Sequence, residues 1–381
     1  MSDSCNKIPG LDWVRLADRP PSPNGQTPRL RLVDLFCGCG GLTLGVSEAA
    51  RLSNRQLDVR LAIDEAPEAM SVYRANFCPS PRFAVQEDVG RVFDGSLGAP
   101  LTPSEVRWKR LTRSVDLLVA GPPCQGYSDL NNVSRRKDPR NRLYLRVVRA
   151  SEVLGPRVVI IENVPAVLLD KEDVVARACR RFIKNGYRVS SGVISLSRFA
   201  TPQLRKRHVL IAVSDGDFDL SELDDVDVPT PTAGEYLAGL EDEPAKRKDL
   251  FYRPSALTEA NLRRIEYLFE NGAFDLPNSL RPPCHKDKPN KYPSMYGRVH
   301  WSKPAQTITS GFGSMGQGRY VHPTRKRLLT PHEAARLQGF PDFFDFSSVK
   351  SITALREMIA NAVPPQFTAV LVKRLIAKRM F

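Results

Sequence analysis

The first half of the chain alternates short apolar runs with segments that read as helices, the pattern of a parallel sheet with crossover helices. RLRLVDLF, residues 29 to 36, predicts the first strand; the glycine turn CGCGG follows, and LTLGVSEAA continues as a helix. Four more apolar runs predict strands: VRLAI ending at Asp64, RFAVQ running to Asp88, VDLLVA meeting GPPCQ, and PRVVIIENV closing on Glu162 and Asn163. Ligands of an open parallel sheet bind beyond the carboxyl ends of its strands, so these polar residues are expected along one rim. That rim is the expected site.

A further strand pair, YRVSSGVIS and HVLIAV, flanks RFATPQLRKR, and after residue 214 the pattern changes. Residues 215 to 249 hold twelve Asp or Glu against three Lys or Arg, whereas residues 251 to 330 hold thirteen basic against five acidic residues. The basic stretch is irregular and mixed with aromatics, Gly and Pro, which suits a surface for a nucleic-acid backbone and bases. Near the carboxyl end Pro365 stands where a helix can begin, and Phe367, Leu371 and Leu375 recur every four residues. That helix is expected to return to the sheet.

With 381 residues the chain can bury a substantial core, as two domains or as one domain carrying an insertion. Its 41% hydrophobic and 26% charged residues are ordinary, and no apolar run approaches a membrane span. Residues 1 to 28, rich in proline and polar groups, lack the apolar core of a secretory signal and read as a flexible arm. The expected compartment is the cytoplasm. Lys and Arg outnumber Asp and Glu by 56 to 42, a formal charge of +14 that favours a polyanionic partner. Seven unpaired-looking cysteines suit a reducing compartment, and the two-apart pair Cys37 and Cys39 reads as small residues beside a turn; no metal site is expected.

Glycines after a buried strand let the backbone approach a nucleotide-like ligand. A dinucleotide fingerprint would need glycine three beyond Gly40, where Thr43 stands, so nicotinamide chemistry loses ground. Asp64 suits ribose hydroxyls and Asp88 an adenine amino group. Cys124 follows a strand end and the pair Pro122 and Pro123, which would hold its sulfur in a defined direction. An ordinary thiol is only a few per cent ionised at neutral pH, so Arg205 and Arg207, on one side of an extended segment, are candidates to activate it. Glu162 follows four β-branched residues, where partial burial would raise its pKa and suit it to act as an acid.

Taken in order, DLFCGCGGLTLG, GPPCQGYS, ENV, QLRKR, RLQGFPDFF and NAVPPQ resemble the DNA cytosine-5 methyltransferases, from about residue 30 to the carboxyl end. The resemblance implies an α/β fold: a Rossmann-like S-adenosylmethionine-dependent domain with an inserted smaller target-recognition domain. The expected division is a flexible arm over 1–28, a catalytic and cofactor-binding domain over 29–214, target recognition over 215–345, and a returning segment over 346–381. By the same resemblance Phe36, Gly38, Gly40, Asp64, Asp88, Pro123, Leu143 and Asn361 would hold the cofactor. Cys124 would be the nucleophile, Glu162 the acid, Arg207 a donor to the cytosine carbonyl and Arg205 a brace. Gln125, Ser128, Asn163 and Gln203 would serve the flipped nucleotide and its loop. The implied partners are double-stranded DNA and a cognate restriction endonuclease, in a bacterial cytoplasm at the nucleoid.

Two positions depart from the family pattern. Glu65 stands where an aromatic residue often stacks on adenine, and Ala360 precedes Asn361 where glycine is usual; a negative φ would tolerate that alanine. Three other readings compete. RNA as substrate would fit the family's tRNA-methylating branch, but its Cys-Phe-Thr signature is absent. A DNA-binding regulator without turnover would have a damaged site, and a dehydrogenase would bind nicotinamide.

Overall fold

The computed structural model describes residues 9–23, 26–77, 80, 82–123, 142–226, 228–240, 249–283, 285–286 and 294–381. Five runs form parallel strands: β1 (Arg29–Leu35), β2 (Gln56–Asp64), β3 (Ala84–Gln86), β4 (Leu117–Ala120) and β5 (Val158–Asn163). The sequence's further pair becomes β6 (Arg188–Ser195) and β8 (Lys206–Val213), with the two-residue β7 (Gln203–Leu204) between them. The main sheet runs β3-β2-β1-β4-β5-β8-β6, and β8 lies antiparallel to both β5 and β6. Strand order reverses between β1 and β4, a switch point that opens a crevice beyond their carboxyl ends.

The strands are apolar on both faces because both are covered. On one face lie α2 (Gly41–Leu52) and a carboxyl-terminal helix over Pro365–Ala377, whose Phe367, Leu371 and Leu375 are fully buried as their spacing predicts. A β-carbon at Gly45 would collide with the Pro365 carbonyl and Thr368, so only glycine lets these two helices touch. On the other face lie α6 (Leu143–Leu154) and α7 (Val174–Lys184), whose Tyr144, Val148 and Phe182 share a core with Val159 and Ile161. No helix among the described residues is long and apolar enough to cross a membrane.

A separate core lies beyond the sheet. It joins α8 (Ala233–Leu237), α9 (Glu259–Glu270), α10 (Pro331–Leu337) and α11 (Ile352–Asn361), which leaves the carboxyl-terminal helix as α12. The boundaries differ from the expected ones in three places. Phe218, Leu223 and Val226 pack in the sheet-side core, and Asp225 and Glu222 pair with Arg374 of α12 and with Lys378 just past its end, so the acidic stretch begins inside the catalytic layer. Phe340, Phe344, Phe346, Leu355 and Met358 form one apolar cluster, so no break falls at residue 345.

The third difference concerns the amino-terminal arm. Leu11–Val14 forms a short helix, α1, that buries Trp13 and Val14. Trp13 meets Phe343 edge-on, with centroids 6.1 Å apart, and the Val14 and Leu16 carbonyls accept from Asp342 and Phe343 N–H. Arg19 sits over Phe343 and donates to Asn76 of α3 (Pro67–Phe77). Residues 11 to 19 are therefore a strap that packs into this second core and reaches α3, because one indole buries enough apolar surface to hold a polar segment in place.

Candidate functional site

A cavity of about 600 Å³ opens at the switch point, within the usual range of roughly 300–1,000 Å³ for small-molecule sites. Phe36 and Gly38 after β1, Asp64 at the end of β2, Asp88 after β3, Pro123 after β4, Leu143 and Asn361 all line it. Glu162, Asn163, Arg205 and Arg207 close its other side. The strand ends thus gather the residues that the alternating pattern placed on one rim.

Local backbone explains much of the positioning. Phe36 has φ +56°, an unfavourable conformation for a bulky residue by about 1–2 kcal/mol, held between Leu35, whose carbonyl accepts from Gly121 N–H beyond β4, and Cys37, whose N–H donates to Ile63 O of β2. Asp64 accepts from Gly38 N–H at 2.8 Å and Ala66 N–H at 2.9 Å, so its carboxylate ties the glycine turn to β2. Burial raises its pKa despite these bonds. Asp88 caps the short helix α4 (Val89–Val92) through Gly90 N–H at 2.7 Å.

Glu162 ends β5 almost fully buried, and Arg207 reaches it from β8 on the same sheet face, Nε to Oε1 2.7 Å. Burial drives the carboxyl's pKa up, and the nearby guanidinium groups of Arg207 and Arg205 offset only part of that rise. Such a group keeps a proton at higher pH than an exposed glutamate while staying beside a cation that orients it. Arg205 is fully buried and donates to the carbonyls of Ile308 at 3.3 Å and of Ala360 and Ala362 at 3.1 Å. It therefore fixes the segment carrying Asn361. Ala360 lies inside helix α11 without a positive φ, so the alanine there is accommodated.

Three expected site residues take other roles. Gln203 is fully buried outside the cavity lining, donating to Leu337 O and Gln338 Oε1 and accepting from Ile308 N–H, which leaves no group for a nucleotide. Gly40 is also outside the lining; its φ of +95° starts α2, and a β-carbon there would strike Phe77. Asn163 lines the cavity, but its side chain is engaged by Pro122 O at 3.2 Å and Val164 N–H at 2.8 Å, so it positions the turn after β4. Cys124, Gln125 and Ser128 lie outside the described residues.

Other wall residues were not singled out from sequence. Glu87 and Val164 sit beside strand ends already marked, but Ala354, Glu357 and Met358 belong to α11, whose place beside the cavity depends on long-range packing. Cys37 and Cys39 also line the cavity. Their thiols are buried, Cys37 against Met70 Sδ and Cys39 against Met358 O, and burial pushes the Cys39 pKa to about 12. That makes the pair inert packing.

Comparison with known proteins decides the family. The profile described as C-5 cytosine-specific DNA methylase matches residues 30–377. The chain belongs to this family. It is 42% identical over 361 residues to the Type II methyltransferase M1.BsuMI of Bacillus subtilis, covering 94% of this chain and 83% of that one. It is 31% identical over 359 residues to the Type II methylase M.HgiDII of Herpetosiphon aurantiacus, covering 90% and 94%. The fold also matches the S. pombe Dnmt2 methyltransferase, with a TM-score of 0.62 at 20% identity, over 93% of this chain and 100% of that one. This cytosine-5 methyltransferase is thus an enzyme that methylates cytosine in DNA, built on a Rossmann-like α/β domain.

Proposed function

We propose that the cavity holds S-adenosylmethionine and that Cys124, Glu162 and Arg207 act on a cytosine flipped out of duplex DNA. The supporting observation is the buried Glu162–Arg207 pair on the cavity wall beside Pro123, the residue before Cys124 in sequence. The donor set suits the cofactor: Asp64 is fixed as an acceptor, Asp88 stands at a second strand end, and Phe36, Pro123 and Leu143 supply apolar wall. When bound, the cofactor supplies a methyl group on a positively charged sulfur.

The chain's own residues do the rest. Carbon 5 of cytosine is a weak nucleophile, and addition of the Cys124 thiolate at carbon 6 places electron density on carbon 5. Protonated Glu162 donates to ring nitrogen 3 and withdraws charge as the thiolate adds, which its raised pKa supports. Arg207, whose Nε keeps the glutamate in place and whose Nη1 donates to Lys206 O, turns its remaining Nη2 donor toward the ring oxygen. Arg205 keeps Asn361 and the cofactor wall in register with this pair. Loss of the carbon 5 proton then expels the cysteine. Attack on the ring face requires the base to leave the duplex stack, at a cost of a few kcal/mol that pocket contacts offset.

The Type II relatives support a role in a restriction-modification system in a bacterial cytoplasm; an endonuclease acting on the same site and association with the nucleoid complete this reading. Bisulfite sequencing of DNA from expressing cells should show a modified cytosine in one sequence context. Parallel assays on duplex DNA and transfer RNA separate the substrates. A 5-fluorocytosine target should trap the wild-type protein on DNA and leave Cys124→Ala untrapped; trapping of the variant would remove Cys124 from the mechanism.

A further inference from the structure

Residues 305–318, AQTITSGFGSMGQG, carry no charged side chain, although the stretch around them, 251 to 330, is basic. They also reach the cavity: Ser310 lines it and is exposed, so it stands on the rim. From there the chain makes two 3-10 turns, Ser310–Gly313 and Met315–Gln317, with Gly311 O accepting from Ser314 N–H and Ser314 O from Gln317 N–H. Phe312 and Met315 are buried in the second core and anchor the loop. Its outward side chains are Ser310, Ser314 and Gln317, and none of them makes a side-chain hydrogen bond among the described residues. Glycines let other side chains lie flat on this loop. A β-carbon at Gly313 would strike the Arg356 guanidinium, and one at Gly316 would stand 2.9 Å from the Tyr296 hydroxyl, so both neighbours brace the loop. One at Gly311 would stand 2.5 Å from Gln317 Cβ; the glycine therefore seats Gln317 against the residue next to Ser310.

We propose that Gln317 is a specificity-determining residue whose carboxamide, seated on Gly311 at the cavity rim, reads an adenine close to the target cytosine. The inference rests on the cytosine entering this cavity. Consecutive Cα atoms are about 3.8 Å apart and stacked bases about 3.4 Å, so a side chain resting on Gly311 lies within about three base steps of a nucleotide beside Ser310. Lysine and arginine fix a protein on the phosphates, whereas sequence is read by groups that meet the base edges. A loop without cationic side chains of its own is suited to the second task. The carboxamide offers a donor and an acceptor in one plane, and adenine presents the complementary pair, N7 and the N6 amino group, in the major groove. Because the braced loop already holds Gln317 in place, little ordering is left to be done when DNA arrives.

The test uses the full chain and a library of DNA duplexes in which the bases around a cytosine are randomised, read by bisulfite sequencing after methylation. The wild type should mark one sequence containing an A·T pair near the modified cytosine. Gln317→Ala should methylate that sequence about 10- to 100-fold more slowly and lose its preference at that one pair, with the other positions as in wild type. Gly311→Ala, which displaces Gln317 without changing its chemistry, should relax the same position. The salt dependence of DNA binding should stay that of wild type, because it is a lost phosphate contact that lowers the slope, by about one. A wild-type site with no A·T pair near the cytosine, an unchanged site preference in Gln317→Ala, or a loss of rate spread evenly over all sequences would overturn base reading and leave the cavity's assignment intact. Absence of any methylated cytosine with the wild type would overturn both.

Discussion

Arg205 offers a sharp test of how the site is assembled. Arg205→Ala deletes a buried guanidinium that donates to the carbonyls of Ile308, Ala360 and Ala362. Ala362 O keeps the Gln338 side chain as a second donor, so the main loss falls on Ile308 and Ala360. Each buried acceptor left unpaired costs about 1–3 kcal/mol, which puts the variant about 4 kcal/mol below wild type. A fold stabilised by roughly 5–15 kcal/mol survives that loss. Urea unfolding followed by tryptophan fluorescence gives the stability, and calorimetry gives the cofactor affinity. We expect the midpoint to fall and S-adenosylmethionine to bind more than ten-fold more weakly as the Asn361 segment loosens, with Arg205→Lys in between. A variant with wild-type unfolding and wild-type cofactor binding, yet no methyl transfer, would refute the brace and place Arg205 on the base instead.

Glu162 should give the wild type an alkaline fall in single-turnover rate, since a carboxyl whose pKa is raised stays protonated to higher pH and fails as an acid only above it. Glu162→Gln should turn over far more slowly and lack that limb; an identical limb in the variant would sink the acid role. Glu333, the buried carboxylate held by Arg327, Thr330 and His322, has its pKa lowered to about 2 from an ordinary 4.5. The lowered value means stability of about 3 kcal/mol that is present above pH 4.5 and lost as pH falls toward 2. Glu333→Gln should therefore trail wild type by about 3 kcal/mol in urea at pH 7 and by about half of that or less at pH 3, and a gap independent of pH would contradict this. Trp13→Ala should cost about 3–5 kcal/mol, the usual loss for a buried tryptophan; a change below 1 kcal/mol would mean that the strap is not part of the second core.

Strands and their order along the chain were legible because parallel strands covered on both faces read as continuous apolar runs, as VVII before Glu162 does. The rim residues followed from strand ends alone. What sequence could not show was pairing across distance. The antiparallel place of β8 between β5 and β6 puts Arg207 beside Glu162, and no local pattern encodes it. Gln203 sits in the same short motif as Arg205 and Arg207, yet β7 turns it toward Gln338 and away from the cavity. The strap was missed because Leu11, Trp13 and Val14 are too few to set up a period, and proline-rich neighbours read as loose chain.

The cavity's two walls are far apart in the order of translation. Phe36, Gly38 and Asp64 emerge early, whereas Asn361 and the carbonyls that grip Arg205 emerge only after the whole main sheet has been made. A ribosome-bound chain can thus fold its sheet while its catalytic chamber stands open on one side. The wall that carries Asn361 is the last part of the cavity to be made.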